Sequence, residues 1–131
     1  MIDLSSLRRA LATLDEALAA LARAPEDKFI RDACIQRFEY SYELAYKTLR
    51  RHLEATEPHS VAELSFPQLI RLGYDRSLLA ESWDVWADFR DARNATSRAY
   101  NEDRALAVIA KLPGFAKAAV FLATQIEARQ S

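Results

Sequence analysis

Leu4, Leu7, Leu11, Leu14, Leu18 and Leu21 follow one another at spacings of three and four residues. That period lines them along one narrow seam of an α-helix, whereas a strand would scatter them over both faces, so the segment must be a helix that buries its seam against other helices. Ala10, Ala12, Ala17, Ala19, Ala20 and Ala22 surround the seam, raise intrinsic helicity and allow close packing. Asp3 can cap this helix and Pro25 ends it. The rest of the chain agrees: 131 residues contain only two glycines and four prolines, and no stretch alternates β-branched with polar residues. The fold class read from this pattern is all-α.

A second helix is predicted from about Glu26 to Ala55, with Ile30, Cys34, Phe38, Tyr42, Ala45, Leu49 and Leu53 on one face. The following stretch, Thr56 to Asp75, holds Pro58, Pro67 and Gly73 among apolar residues and reads as a connection with one short helix from about Phe66 to Leu72. Asp75 or Ser77 can cap a third long helix running through Leu78, Leu79, Trp83, Trp86 and Phe89 to about Tyr100. Asn101 then offers a new cap ahead of Glu102 and Asp103, and the last helix carries Leu106, Ile109, Leu112, Phe115, Ala119, Leu122 and Ile126, with Pro113 and Gly114 expected to kink or restart it. Long helices joined mostly by short connections predict an up-and-down four-helix bundle, with one short extra helix between the second and third long helices and residues 1–131 as one domain.

Composition limits what such a bundle can do. The formal net charge is −1, so no bulk positive field draws it to nucleic acid or anionic lipid, and any polyanion site must be local. Cys34 is the only cysteine, which excludes an internal disulfide and a cysteine-based zinc cluster and reads as a small apolar core residue. The N-terminus lacks a signal-peptide pattern and no uninterrupted apolar run approaches the length of a membrane span, so a cytoplasmic protein without a membrane partner is expected. Glycine-rich phosphate loops, paired-histidine metal spacing and a nucleophile elbow are all missing, and neither a metal nor a cofactor is expected.

Chemistry concentrates between Asp88 and Tyr100. On a helix advancing about 100° per residue, Arg90, Arg93, Ser97, Tyr100 and Arg104 fall within a band of roughly 80°, with Asn94 at its edge, provided the helix persists. Guanidinium groups bind phosphate bidentately, and Asn, Ser and Tyr supply neutral hydrogen bonds to sugar or base; a solvated, salt-bridged face is the competing reading. Glu39 and Glu43 lie one turn apart, and one of them reads as a counter-ion for Arg90 or Arg93 across the helix interface rather than the two as a catalytic pair. Phe38, Tyr40, Tyr42 and Tyr46 read mainly as packing. Trp83 and Trp86 are either core residues or anchors of a subunit interface, and a homodimer held by the third and fourth long-helix region is expected.

The run Ile35-Gln-Arg-Phe-Glu-Tyr-Ser-Tyr-Glu-Leu-Ala-Tyr-Lys-Thr-Leu49, followed by Phe89-Arg-Asp-Ala-Arg-Asn-Ala-Thr-Ser-Arg-Ala-Tyr-Asn-Glu102, resembles the nucleotidyltransferase substrate-binding family of the HEPN group, which is HepT-like. The resemblance covers nearly the whole chain. It implies a four-helix bundle that dimerises with a polar site near the dimer cleft, and a separate minimal nucleotidyltransferase as partner. Members with nuclease activity carry an Arg, four to six residues, then His, often with Tyr two residues later. Arg93 and Tyr100 match that pattern, while Arg98 stands at the histidine position. Imidazole moves protons near neutral pH and guanidinium does not, and neither His52 nor His59 has the motif's spacing from Arg93. The expected function is therefore a non-catalytic nucleotide- or substrate-binding subunit, with nucleotide or RNA held locally by Arg90, Arg93, Asn94, Ser97, Arg98 and Tyr100. The alternative is a HEPN ribonuclease toxin of a toxin–antitoxin pair, with the nucleotidyltransferase as antitoxin. Tyr100 is the residue a partner enzyme would modify with nucleotide.

Overall fold

The computed structural model describes residues 1–96 and 101–130. Among them the chain forms five α-helices and no strand: α1 (Ser5–Arg23), α2 (Lys28–Thr56), α3 (Phe66–Asp75), α4 (Trp83–Ala95) and α5 (Glu102–Gln130). The leucine seam of α1 is buried as its period requires: Leu7, Leu11, Leu14 and Leu21 sit in the core with Ala10 and Ala17. The backbone N-cap of α1 is Leu4, and Asp3 contributes by accepting the Ser5 N–H at 2.8 Å. That bond holds the Asp3 carboxyl below its ordinary range. Asp27 caps α2 by accepting from the N–H groups of Phe29 and Ile30.

The ends of the helices fix the bundle's topology. Ile2 donates its N–H to Gln130 Oε1 at 2.7 Å, so α1 begins where α5 ends and the two run antiparallel. Arg31 meets Glu102 at 3.3 Å, so α2 and α5 start at the same end. Between α1 and α2, Arg37 donates to the Thr13 carbonyl and Thr13 pairs with Tyr40. The four long helices form the up-and-down bundle expected from the sequence, with α3 as the extra short helix. Phe115 of α5 is the hub of the core. Its ring lies 5.0 Å from Phe38 and 6.1 Å from Tyr42 on α2, and 5.6 Å from Phe89 and 6.3 Å from Trp86 on α4. Cys34 is fully buried, as an apolar core residue should be.

Several boundaries differ from the sequence reading. The α3 helix continues to Asp75 and starts with a capping box in which Ser65 accepts from the Gln68 N–H and the Gln68 side chain accepts from the Ser65 N–H. Asp75 and Ser77 therefore end a helix instead of starting one. Ser77 takes a left-handed φ of 61°, donates to the Tyr74 carbonyl, and is followed by Leu78 donating to the Gly73 carbonyl, a Schellman closure without glycine at its left-handed position. Leu78 and Leu79 enter the core from this connection, and α4 begins only at Trp83. Gly73 lets α3 lie close across the bundle, because a Cβ there would stand 3.1 Å from methyl carbons of both Leu49 and Leu79.

The α5 helix neither stops nor restarts at Pro113. Pro113 and Gly114 face solvent while Leu112 and Phe115 are fully buried, so packing on both sides holds the axis although one backbone hydrogen bond is missing. By length and composition α5 is also apolar enough to cross a membrane, a property not expected from the sequence reading. Its apolar character is accounted for by Val108, Leu112, Phe115, Ala119, Leu122 and Ile126, which pack against the other long helices.

Candidate functional site

Of the polar residues expected to act together, Arg90, Arg93 and Asn94 lie on α4 and Arg104 on α5. The α4 helix ends at Ala95, where Thr96 turns its hydroxyl back to the Arg93 carbonyl at 2.7 Å and helps close the last turn. Arg104 therefore belongs to α5, not to a continuous stripe with Arg90 and Arg93. Asn101 does cap α5, accepting the Arg104 N–H at 3.0 Å. Ser97, Arg98 and Tyr100 lie outside the described residues.

The expected site residue Arg93 is paired with Glu43. Arg93 Nη2 lies 3.2 Å from Glu43 Oε1, joining α4 to α2, with the arginine side chain 26% and the glutamate 45% exposed. The expected counter-ion is thus Glu43. Arg93 Nε is buried and meets no acceptor among the described residues, so the guanidinium keeps unused donor capacity. One turn back on α4, Arg90 sits over the Phe66 ring of α3 at 4.7 Å. Asn94 is on the exposed side of the same helix end. Tyr42, beneath these arginines, is buried in the core, and its hydroxyl is pushed well above the usual phenol range, first by burial and against the pull of Arg90.

Next to this pair is a recess of about 290 Å³ where the α4–α5 junction faces α2. Asp32, Gln36 and Glu39 line it from α2, and Thr96, Asn101 and Arg104 from the junction. It offers carboxylate and amide acceptors on one wall and a cation on the other, a donor and acceptor set suited to a polar ligand. Sequence reasoning missed Asp32 and Gln36 as part of it, since nothing in their spacing from Arg93 marks them. A larger groove of about 950 Å³ runs between α1 and α5 and contains none of the expected site residues. No cluster of His, Cys, Asp and Glu able to hold a metal occurs among the described residues.

The aromatic residues divide differently from the sequence reading. Trp86 is 2% exposed and packs edge-on to Phe89 and Phe115, so it is a core residue and cannot anchor a subunit interface. Trp83 is half-buried and faces Phe66 at 5.6 Å. Tyr46 stacks on Phe66 at 5.3 Å.

The fold is an all-α up-and-down bundle with a polar recess where the α4–α5 junction faces α2. The chain belongs to the nucleotidyltransferase substrate binding protein like family, whose model matches residues 2–128. It is similar to a curated Haemophilus influenzae protein named probable ribonuclease HepT, with 32% identity over 106 residues, 79% of this chain and 71% of that protein. Two solved structures share the fold. One, from Haemophilus influenzae, is described as revealing the fold of a substrate binding domain of a nucleotidyltransferase; it covers 95% of this chain and 99% of its own, with a TM-score of 0.85 and 24% identity. The other, from Thermus thermophilus, covers 92% of this chain and 98% of its own, with a TM-score of 0.77 and 33% identity.

Proposed function

We propose that this chain is a non-catalytic subunit that binds nucleotide for a separate minimal nucleotidyltransferase, in the cytoplasm and as a homodimer. The observation that carries the reading is Arg93 near the end of α4: Glu43 takes one edge of its guanidinium, and its Nε meets no acceptor among the described residues. A phosphate would be held at the exposed part of that guanidinium, and Arg90, Asn94 and the Asn101–Arg104 edge of the recess are the groups assigned to the rest of a nucleotide. Family membership supports the partnership with a nucleotidyltransferase. Ser97, Arg98 and Tyr100 extend the set by sequence, with Arg98 as a further phosphate ligand and Tyr100 as the hydroxyl a partner enzyme would modify.

A second reading, the ribonuclease toxin of a toxin–antitoxin pair, is favoured by the relative named probable ribonuclease HepT. It ranks lower because Arg98 replaces the motif's histidine, and guanidinium stays protonated where a general base is needed. The deciding experiment is nucleotide titration of this chain alone, of its nucleotidyltransferase alone and of the pair, each with and without Arg93→Ala. Affinity that is highest for the pair and depends on Arg93 supports the binding subunit.

A further inference from the structure

Trp86 belongs to the core, so a second copy of the chain needs a face that does not depend on it. The Arg93–Glu43 pair joins α4 to α2; on the opposite side of the bundle α1 and α5 leave a groove of about 950 Å³ between them. Its walls are mainly apolar, with Ala12, Leu18 and Ala19 from α1 and Ala116, Val120 and Phe121 from α5. Ala12 and Ala19 are exposed two turns apart and Val120 is 43% exposed, so another helix can approach the backbone closely. The groove follows α1 from Arg8 to Ala19, about 18 Å of helix. Arg8 at one end is already paired with Glu127, but Asp15 and Lys117 are exposed on the groove and have no ion-pair partner among the described residues. The two helices are antiparallel, with Ile2 against Gln130 and Arg8 against Thr124 and Glu127. Continued along the bundle, that register sets Asp15 and Lys117 within a turn of the same level on opposite sides of the groove.

We infer that a second copy of this chain fills the groove, about a two-fold axis running along it. Such an axis exchanges the two sides of the groove and keeps the level along it, so α1 of each copy lies antiparallel over α5 of the other. Asp15 of one copy then meets Lys117 of the partner subunit, and symmetry makes the contact twice. The apolar walls drive the association, and the two charge pairs set its register. This self-complementarity selects a second copy over an unrelated helix, which would have to bring both opposite charges at one level from its own sequence. The inference rests on the homodimer reading and gives it a face. It leaves the Arg93 site of each copy on the far side of its bundle, not at the dimer cleft that the sequence resemblance implies.

The test is sedimentation equilibrium of the full chain over a micromolar concentration series, with two charge-reversal variants whose helical circular-dichroism spectra match the native one. Asp15→Lys sets lysine against lysine at both contacts, and Lys117→Asp sets aspartate against aspartate, so either variant alone should dimerise at least about tenfold more weakly than the native chain. Mixed in equal amounts, the two variants have opposite charges at both contacts and should recover the native dimer affinity. That recovery can arise only between chains. Native-like dimers of each variant alone would move the second copy to another face, overturning the inference while the homodimer reading stands. Two weakened variants that stay monomeric when mixed would also overturn it. A native chain that is monomeric throughout would overturn both readings, and loss of nucleotidyltransferase binding in either variant would then assign the groove to that enzyme.

Discussion

Arg93 of α4 and Glu43 of α2 are joined at 3.2 Å, so one edge of the guanidinium is already engaged by a carboxylate. Both side chains are substantially exposed, so the bridge itself stabilises the fold by about 0.2–1 kcal/mol. Its influence on binding should be larger. Arg93→Ala should weaken nucleotide binding by about 1.5–3 kcal/mol, the range for hydrogen bonds to a charged group. Glu43→Gln, which removes the competing carboxylate, should strengthen it. Isothermal titration of both variants checks the pair of signs, and weakening by Glu43→Gln would mean that the carboxylate orients the arginine instead of competing for it.

Trp86 tests the core assignment. Glutamate at this position would bury a charge beside Phe89 and Phe115, so Trp86→Glu should unfold the bundle, at a cost above about 3 kcal/mol, and not merely separate subunits. Trp86→Phe should cost less, because the indole N–H has no partner among the described residues and its removal relieves a buried donor. Urea denaturation followed by circular dichroism distinguishes these outcomes.

His52 gives the fold a pH dependence. It is 5% exposed, and burial, reinforced by Arg129, holds its imidazole below the ordinary value of 6.5. The folded state therefore favours neutral imidazole, and its contribution is present above pH 6.5 and lost as pH falls below that value toward the depressed folded pKa. Thermal melting should drop more steeply below pH 6.5 in the native protein than in His52→Gln. Parallel melting curves against pH would assign the acid sensitivity to other groups.

Catalysis turns on position 98. The unaltered protein should leave single-stranded RNA intact at neutral pH, with or without magnesium. Arg98→His should be the change that creates cleavage, since it places a titratable group five residues after Arg93 and two before Tyr100. Cleavage by the unaltered chain that Arg93→Ala abolishes would put the ribonuclease reading first.

The sequence disclosed the bundle because its signal was periodic: the leucine seam of α1 and the apolar stripe of α2 leave no other place for those side chains. It misplaced the start of α4 because Ser77 performs a glycine's role, and a serine near an aspartate reads more naturally as an N-cap than as a left-handed closure. That Glu39 or Glu43 serves Arg90 or Arg93 was legible from helix geometry, but only the structure selects the Glu43–Arg93 pair. Trp86 was ambiguous because its three-residue spacing from Trp83 suits a core or an interface equally; only the ring contacts to Phe115 decide. The seating of Arg50, Arg71 and Arg90 over Tyr46, Trp83 and Phe66 was not legible, because it depends on how α3 lies across α2 and α4, which no local pattern encodes.

The central claim is that this chain supplies a nucleotide site to a separate enzyme. The most direct measurement is calorimetric titration of nucleotide into the nucleotidyltransferase alone and into its complex with this chain, native and Arg93→Ala. The native complex should bind more tightly than the enzyme alone, with most of that gain lost in Arg93→Ala. Identical affinities for the enzyme alone, the native complex and the variant complex would contradict the claim.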